Sequence, residues 1–347
     1  MLDQFNTLSE FLLQAGTQYR VFDMGRRVQK ISTDLFSDFE HAVAPYPYPL
    51  QQHAWLAVLF WNKQQSQEHY VWFLKLPLDE RGLLEQASRN QFLELVVNAL
   101  GKSMNKEPDQ EQQSALDHNP IIFKPSEQKL AAFTSQVRQV MKLAPSSYMT
   151  PALDYLNTPE QHSQWQEIGY QGLADIASKA DDPLFNQAIV NALPVLPSQT
   201  FCALCCSLEN IAIDTAIADV LLNQLKQAIN ESDLNHVIHA ARALSHAKGP
   251  GFQQQALDAL YSSELIKTER DIVVIIAGRY WQLITTEDSA LLFLEAVATL
   301  NVEQDIFNQL FSDVVGIPTS RTAMLSALRN PQRSEKLAHY IAKLISG

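Results

Sequence analysis

The sequence predicts an α+β domain over residues 1–145, an antiparallel sheet with flanking helices, followed by an all-α helical-repeat domain over residues 146–347. Three observations carry this. Runs of β-branched and aromatic residues, separated by glycine, proline and polar breaks, concentrate in YRVFDMGRRVQKI and HAWLAVLFWNKQQSQEHYVWFLKLP, near the start of the chain. Beyond residue 145 only helical periodicities of about 10–18 residues remain, joined by short turns. In that second part the tetrapeptide Glu-x-Asp-apolar recurs at Glu231, Glu269 and Glu303, with spacings of 38 and 34 residues.

The elements follow in order. Leu2, Phe5, Leu8, Phe11 and Leu12 recur at helical spacing and Gly16 follows, so residues 2–15 read as an amphipathic helix. YRVFDMGRRVQKI reads as a tight hairpin around Asp23-Met24-Gly25, with Gly25 supplying a positive φ. TDLFSDFEHA is a short helix capped by Thr33, and PYPYP is an extended connection, because proline excludes helix and central strand. Two strands follow, joined by NKQQSQEH. The first is apolar on both faces, which predicts a central strand covered on both sides. Residues 79–100 read as a helix opened by Asp79, Glu80 and Arg81 and stopped by Gly101. The polar stretch 102–120 is a surface loop, IIF at 121–123 is placed to return to the sheet, and 126–143 is helix again.

Composition narrows the function classes. The chain has 347 residues, 46% hydrophobic, enough for two cores. Its net charge of −12 is uneven: residues 1–145 hold 14 Lys and Arg against 16 Asp and Glu, and residues 146–347 hold 12 against 22. An acidic surface repels phosphate backbones, so nucleic acid is disfavoured as a partner. The first residues, MLDQFNTLSEFLLQAG, lack the basic start and continuous apolar core of a signal peptide, and no apolar run reaches membrane-spanning length. The expected location is cytoplasmic, and the three cysteines, confined to 202–206, fit a reducing compartment.

Chemistry-bearing residues are sparse. No nucleotide-binding, zinc-protease or nucleophile-elbow motif occurs. FCALCCS contains a CxxC without a second ligand pair nearby, so Cys202, Cys205 and Cys206 read as packing residues, with no metal and no cofactor expected. Asp233, His236 and His239 share one side of a helix, but the spacing differs from that of zinc helices and reads as surface or capping. Arg26 and Arg27 sit at the hairpin turn, either as an anion-binding tip or as a solvated turn with surface ion pairs. Arg279 lies in IVVIIAGRYWQLI, whose first half is apolar all round, so it needs a buried carboxylate or carbonyl partner or emerges at a groove rim. The tryptophan density reads as core. Trp55 and Trp72 are expected inside, and Trp61 and Tyr70, nearest the loop, are the aromatics placed for exposure.

YRVFDMGRRVQKI, PYPYPLQQHAWLAVLFW and YVWFLKLPLDERGLL together resemble an uncharacterised bacterial family, a domain of unknown function. The resemblance implies a cytoplasmic bacterial protein and brings no activity, cofactor or site residue.

The tetrapeptides follow capping types, Asn230 and Thr268 directly and Asn301 two residues ahead, so they read as helix starts at helix-pair period, the arrangement of HEAT-type stacks. In such a stack Glu231, Asp233, Glu269, Asp271, Glu303 and Asp305 line one edge. The expectation is a non-enzymatic scaffold or adaptor that binds a basic protein or peptide, with no membrane contact. The alternative is an enzyme holding an anion through Arg26, Arg27 and Arg279 in a pocket at the junction of the two domains.

Overall fold

A computed structural model describes residues 6–62, 68–100 and 119–346. The chain divides into two compact units, Met1–Pro125 with Gly316–Pro318, and Ser126–Val315 with Thr319–Gly347.

In the first unit, α1 (Leu8–Gln14) is capped by the Thr7 hydroxyl, which accepts from Glu10 N at 3.1 Å. The earlier start expected at residue 2 lies outside the described residues. Strands β1 (Thr17–Asp23) and β2 (Gln29–Ile31) pair antiparallel, with Val21 opposite Ile31. The connection is wider than a tight hairpin, and Gly25 is not in the left-handed region. Its role is close packing instead: a Cβ there would stand 3.3 Å from Asp23 Oδ1 and 3.4 Å from Trp55 Cδ1. Helix α2 (Thr33–Glu40) is capped by Ser32, not Thr33; the Ser32 hydroxyl accepts from Leu35 N at 3.2 Å.

Strands β3 (His53–Asn62) and β4 (His69–Pro77) complete an antiparallel sheet of order β2-β1-β3-β4. Ala54, Leu56, Val58 and Phe60 on one face of β3 join a core that includes Leu12, Phe36, Phe39 and Phe92, the last from α3 (Gln86–Leu100). On the other face Ala57, Leu59 and Trp61 are also buried, as a continuous apolar strand demands. The IIF run does return to the edge of β4: Lys75 N donates to Ile121 O at 2.6 Å, and Phe123 N to Phe73 O at 3.1 Å.

The helix expected to open at Asp79 begins at Gln86. The Asp79 carboxylate accepts from Arg81 N at 2.9 Å and Leu83 N at 2.7 Å, and Gly82 takes φ +81°. A short acidic side chain that collects its neighbours' amides offers the backbone a turn in place of a helix. The stop at Gly101 and nearly all of the polar stretch 102–120 fall outside the described residues.

The tryptophans are arranged differently from expectation, whereas Tyr70 is exposed as expected. Trp61 is buried at 8% exposure, with the Arg20 guanidinium 5.6 Å from its ring, while Tyr70 is 53% exposed. Trp55 and Trp72 are half-buried. Trp72 packs against Phe60 at 4.5 Å and Phe92 at 5.6 Å, and Trp55 meets Phe123 at 4.8 Å. The one lysine of these strands, Lys75, lies 4.7 Å from the centre of the Trp55 ring.

The second unit is helical: α4 (Glu127–Val140), α5 (Met149–Asn157), α6 (Tyr170–Ala177), α7 (Pro183–Ala192), α8 (Ser198–Leu208), α9 (Thr215–Glu231), α10 (Leu234–Leu244), α11 (Pro250–Ser262), α12 (Leu265–Thr268), α13 (Arg270–Arg279), α14 (Glu287–Thr299), α15 (Gln304–Val315), α16 (Pro318–Ala327) and α17 (Glu335–Ser346). Its contacts sort into two layers. One runs α4, α6, α8, α10, α13, α15, and the other α5, α7, α9, α11 with α12, α14, α17, each helix packed on the next in its layer. Pairs such as α5 and α6, α9 and α10, and α13 and α14 join the layers. A single apolar cluster extends from Ala152 to Ile341. Among the described residues no helix is long and apolar enough to cross a membrane.

Trp61→Ala is expected to destabilise the chain by about 3–5 kcal/mol, and Tyr70→Ala by under about 1 kcal/mol, in denaturant melts followed by fluorescence. Equal effects would show that ring burial does not decide the stability of this sheet.

Candidate functional site

Arg26 and Arg27 are not on a surface tip. Both are 1% exposed, and Asp23 beside them is fully buried. The Asp23 carboxylate accepts from Gly25 N at 3.2 Å, Arg27 N at 3.1 Å and the Tyr46 hydroxyl at 2.8 Å, which folds the loop inward. Arg26 Nε donates to Pro49 O at 2.8 Å. Burial, reinforced by the Asp23 charge, pushes the Tyr46 hydroxyl well above its ordinary value, so it stays a donor. A solvated turn is therefore excluded: both guanidiniums are buried.

Arg279 has the buried carboxylate partner its apolar helix requires. Glu209, just past the end of α8, accepts from Arg279 Nε at 2.7 Å and Nη2 at 3.3 Å. It also accepts from Arg242 Nε at 2.8 Å and Nη2 at 2.7 Å. Arg242 lies in the last turn of α10, and Arg279 ends α13. Three consecutive helices of one layer are thus clamped through one carboxylate with 3% side-chain exposure, while the guanidiniums keep 21% and 15%. Burial alone would raise the Glu209 carboxyl, but the charges and hydrogen bonds of Arg279 and Arg242 outweigh it and hold it far below the usual carboxylate range. The group carries net charge +1 and sits where helix C-termini favour cations.

Sequence reasoning missed Glu209 and Arg242. Their spacing offered the clue: 209, 242 and 279 are 33 and 37 residues apart, close to the period of the tetrapeptide repeat. Asp175, 34 residues before Glu209, holds the same place in α6. It is buried and accepts from the Ser135 hydroxyl at 2.5 Å and from Gln171 Nε2 at 2.8 Å. A polar rung therefore marks the C-terminal end of α6, α8, α10 and α13.

Near the clamp the thiols are held protonated. Burial pushes Cys206 up to about 11, and Cys205 well above its ordinary value. Cys202 is half-buried and raised by burial, with Asn235 Nδ2 donating to its Sγ at 3.2 Å. No group of three or more His, Cys, Asp and Glu is placed to hold a metal among the described residues. His236 stacks 4.7 Å from Phe201 and pairs with Asp233 at 2.7 Å, whereas His239 Nδ1 donates to Asn235 O at 2.8 Å.

The acidic tetrapeptides stand at the starts of α10, α13 and α15, with one exception. Asp233 caps α10, accepting from His236 N at 3.1 Å. Glu269 precedes α13 and Asp271 lies in its first turn; Glu303 precedes α15 and Asp305 lies in its first turn. Glu231, by contrast, ends α9, bound by Gln227 Nε2 at 2.9 Å. The Ser232 backbone, at φ 56°, then turns the chain into α10, so the helix boundary falls inside the tetrapeptide. Glu231, Asp271, Glu303 and Asp305 are exposed, and Asp233 and Glu269 are half-buried.

Residues 3–345 match the family described as "Protein of unknown function (DUF3549)". The chain belongs to this family. Membership in DUF3549 spans both the sheet-containing unit and the helical layers, whereas the resembling segments lie within the first hundred residues. No curated protein and no solved structure matches the chain.

Glu209→Gln leaves two guanidiniums without a counter-charge and is expected to cost about 3–5 kcal/mol. The folded carboxyl is depressed, so its stabilisation is present above the ordinary carboxylate value of 4.5 and is lost as pH falls below it. Melting temperatures from pH 7 to pH 3 should fall more steeply in the parent than in Glu209→Gln; parallel curves would contradict the clamp's charge balance. The thiols provide a second check. Alkylation by iodoacetamide at pH 8 should label Cys202 first in the native protein and all three cysteines only on unfolding. Rapid native labelling of Cys206 would show an open thiolate.

Proposed function

We propose that this DUF3549 chain is a cytoplasmic protein-binding scaffold, its helix pairs stacked in HEAT fashion and its acidic edge turned toward a basic protein or peptide. One observation supports this above the others. Asp233, Asp271 and Asp305 all belong to helix starts of a single layer, at α10, α13 and α15, and those helices pack consecutively. Each is the second helix of a pair joined by a short turn, so successive members run the same way and their starts lie along one edge. The exposed carboxylates there, with the excess of 22 acids over 12 bases in residues 146–347, make a field that attracts cations. The opposite ends of α10 and α13 carry the Glu209 clamp and are occupied internally. The chemistry also favours binding over catalysis: the buried thiols are protonated, Arg26 donates to Pro49 O, and Arg279 is paired with Glu209.

The test uses Asp→Asn at 233, 271 and 305 together: at 233 asparagine caps a helix about as well as aspartate, and at all three the change removes charge with little change of shape. A labelled Lys/Arg-rich peptide should bind the parent at low salt and lose affinity as ionic strength shortens the screening length to about 8 Å. The triple variant, checked to be folded, should bind roughly tenfold more weakly, the effect of three surface pairs of about 0.5 kcal/mol each. Equal affinity and equal salt dependence in both proteins would rule out this edge as the binding surface.

A further inference from the structure

A second site lies in the first unit. Arg89 sits on α3 beside the apolar Phe92 and Leu93 and is 4% exposed. A buried guanidinium ordinarily faces a carboxylate, because an unpaired buried charge is costly. Among the described residues none pairs with Arg89. Its Nη1 donates to the main-chain oxygen of Glu40 at 2.5 Å, and its Nε to Asn90 Oδ1 at 3.1 Å. The Glu40 carboxylate is engaged elsewhere, accepting from Leu8 N at 2.7 Å and from Ser9 N. Burial accordingly works against the Arg89 charge and lowers its pKa, with Glu40 and Glu10 offsetting part of the effect.

Arg89 lines a cavity of about 440 Å³, walled also by Glu40, Glu94 and the amides of Asn6, Gln86 and Asn90. That volume suits a small metabolite. A guanidinium carries five donors in a planar fork that matches a carboxylate, and among the described residues two of its nitrogens are engaged. Besides His41, the lining carries one Arg against two Glu, which disfavours a dianion, while a single carboxylate answers the buried cation. The side-chain amides can donate to its oxygens.

We propose that this cavity binds a small monocarboxylate, held in the fork of Arg89 and flanked by Gln86 and Asn90. Glu94, at the exposed rim, provides a place for an ammonium group if the ligand carries one.

The test measures melting temperature and calorimetric binding for the full chain with acetate, glycine and inorganic phosphate, against sodium chloride at matched ionic strength. Saturable stabilisation by acetate or glycine beyond that by chloride is expected. Stronger binding of glycine than of acetate assigns the ammonium to Glu94. Arg89→Gln should weaken the response roughly tenfold or more, the scale of one charge-assisted hydrogen bond. Because Arg89 is buried and donates to Asn90 Oδ1, Gln86→Ala serves as the second variant: Gln86 is exposed and makes only a 3.5 Å contact to His41 O, so the free protein should melt as the parent does while the response falls several-fold. Absence of saturable binding by either carboxylate, an equal or stronger effect of phosphate, or an undiminished response in both variants overturns the proposal.

Discussion

The second unit depends on lateral stacking, because no helix pair in it can bury its own apolar surface. Helix α10 shows the constraint. It is 11 residues long and buries Val237, Ala240, Ala241, Ala243 and Leu244. That surface is divided among α8 and α13 in its own layer and α9 in the other. A helix this short is marginal by itself, and its stability comes from neighbours on several sides. The three alanines allow those neighbours to approach closely without side-chain entropy loss. Removal of one pair would therefore expose the next, and the apolar cluster is accordingly continuous along the unit.

Polar groups inside such a stack must be satisfied across helices, and this sets their register. Glu209 is saturated only when the ends of α8, α10 and α13 lie level, since both guanidiniums must reach its two oxygens at once. Replacing such a group by apolar residues is often neutral for stability, so its physical contribution here is selection among ways of sliding one helix past the next. Asp175, with Ser135 and Gln171, plays the same part between α4 and α6. Asp23 and Glu40 in the first unit are also buried carboxylates that gather backbone amides from loops and helix starts. Much of the buried ionisable chemistry thus holds the fold. The exposed helix-start acids and the Arg89 cavity are the groups proposed to meet partners.

Several elements were legible because their causes are local. The apolar faces of β3 marked it as a central strand, and the helical periodicities beyond residue 145 marked that part of the chain as helical. Arg279, a charge in an apolar helix, demanded a partner, and Glu209 is that partner. Where local rules compete, the reading slipped. The α3 start moved from Asp79 to Gln86 because an aspartate side chain makes a turn as readily as a cap, and Glu231 proved to close α9 while Asp233 opens α10.

By itself, the sequence determined which segments are strands and helices, the period of the helix pairs and the sign of the second part's charge, because each depends on residues within a turn or two of one another. Only the tertiary structure decided where the charges went. Arg26 and Arg27 turned inward because Asp23 collects the amides of their loop. Glu209 joined Arg242 and Arg279, and Arg89 was left beside a cavity without a carboxylate partner among the described residues. The reason is that a charge's fate depends on which distant groups share its low-dielectric surroundings, and spacing along a chain does not encode that distance in space.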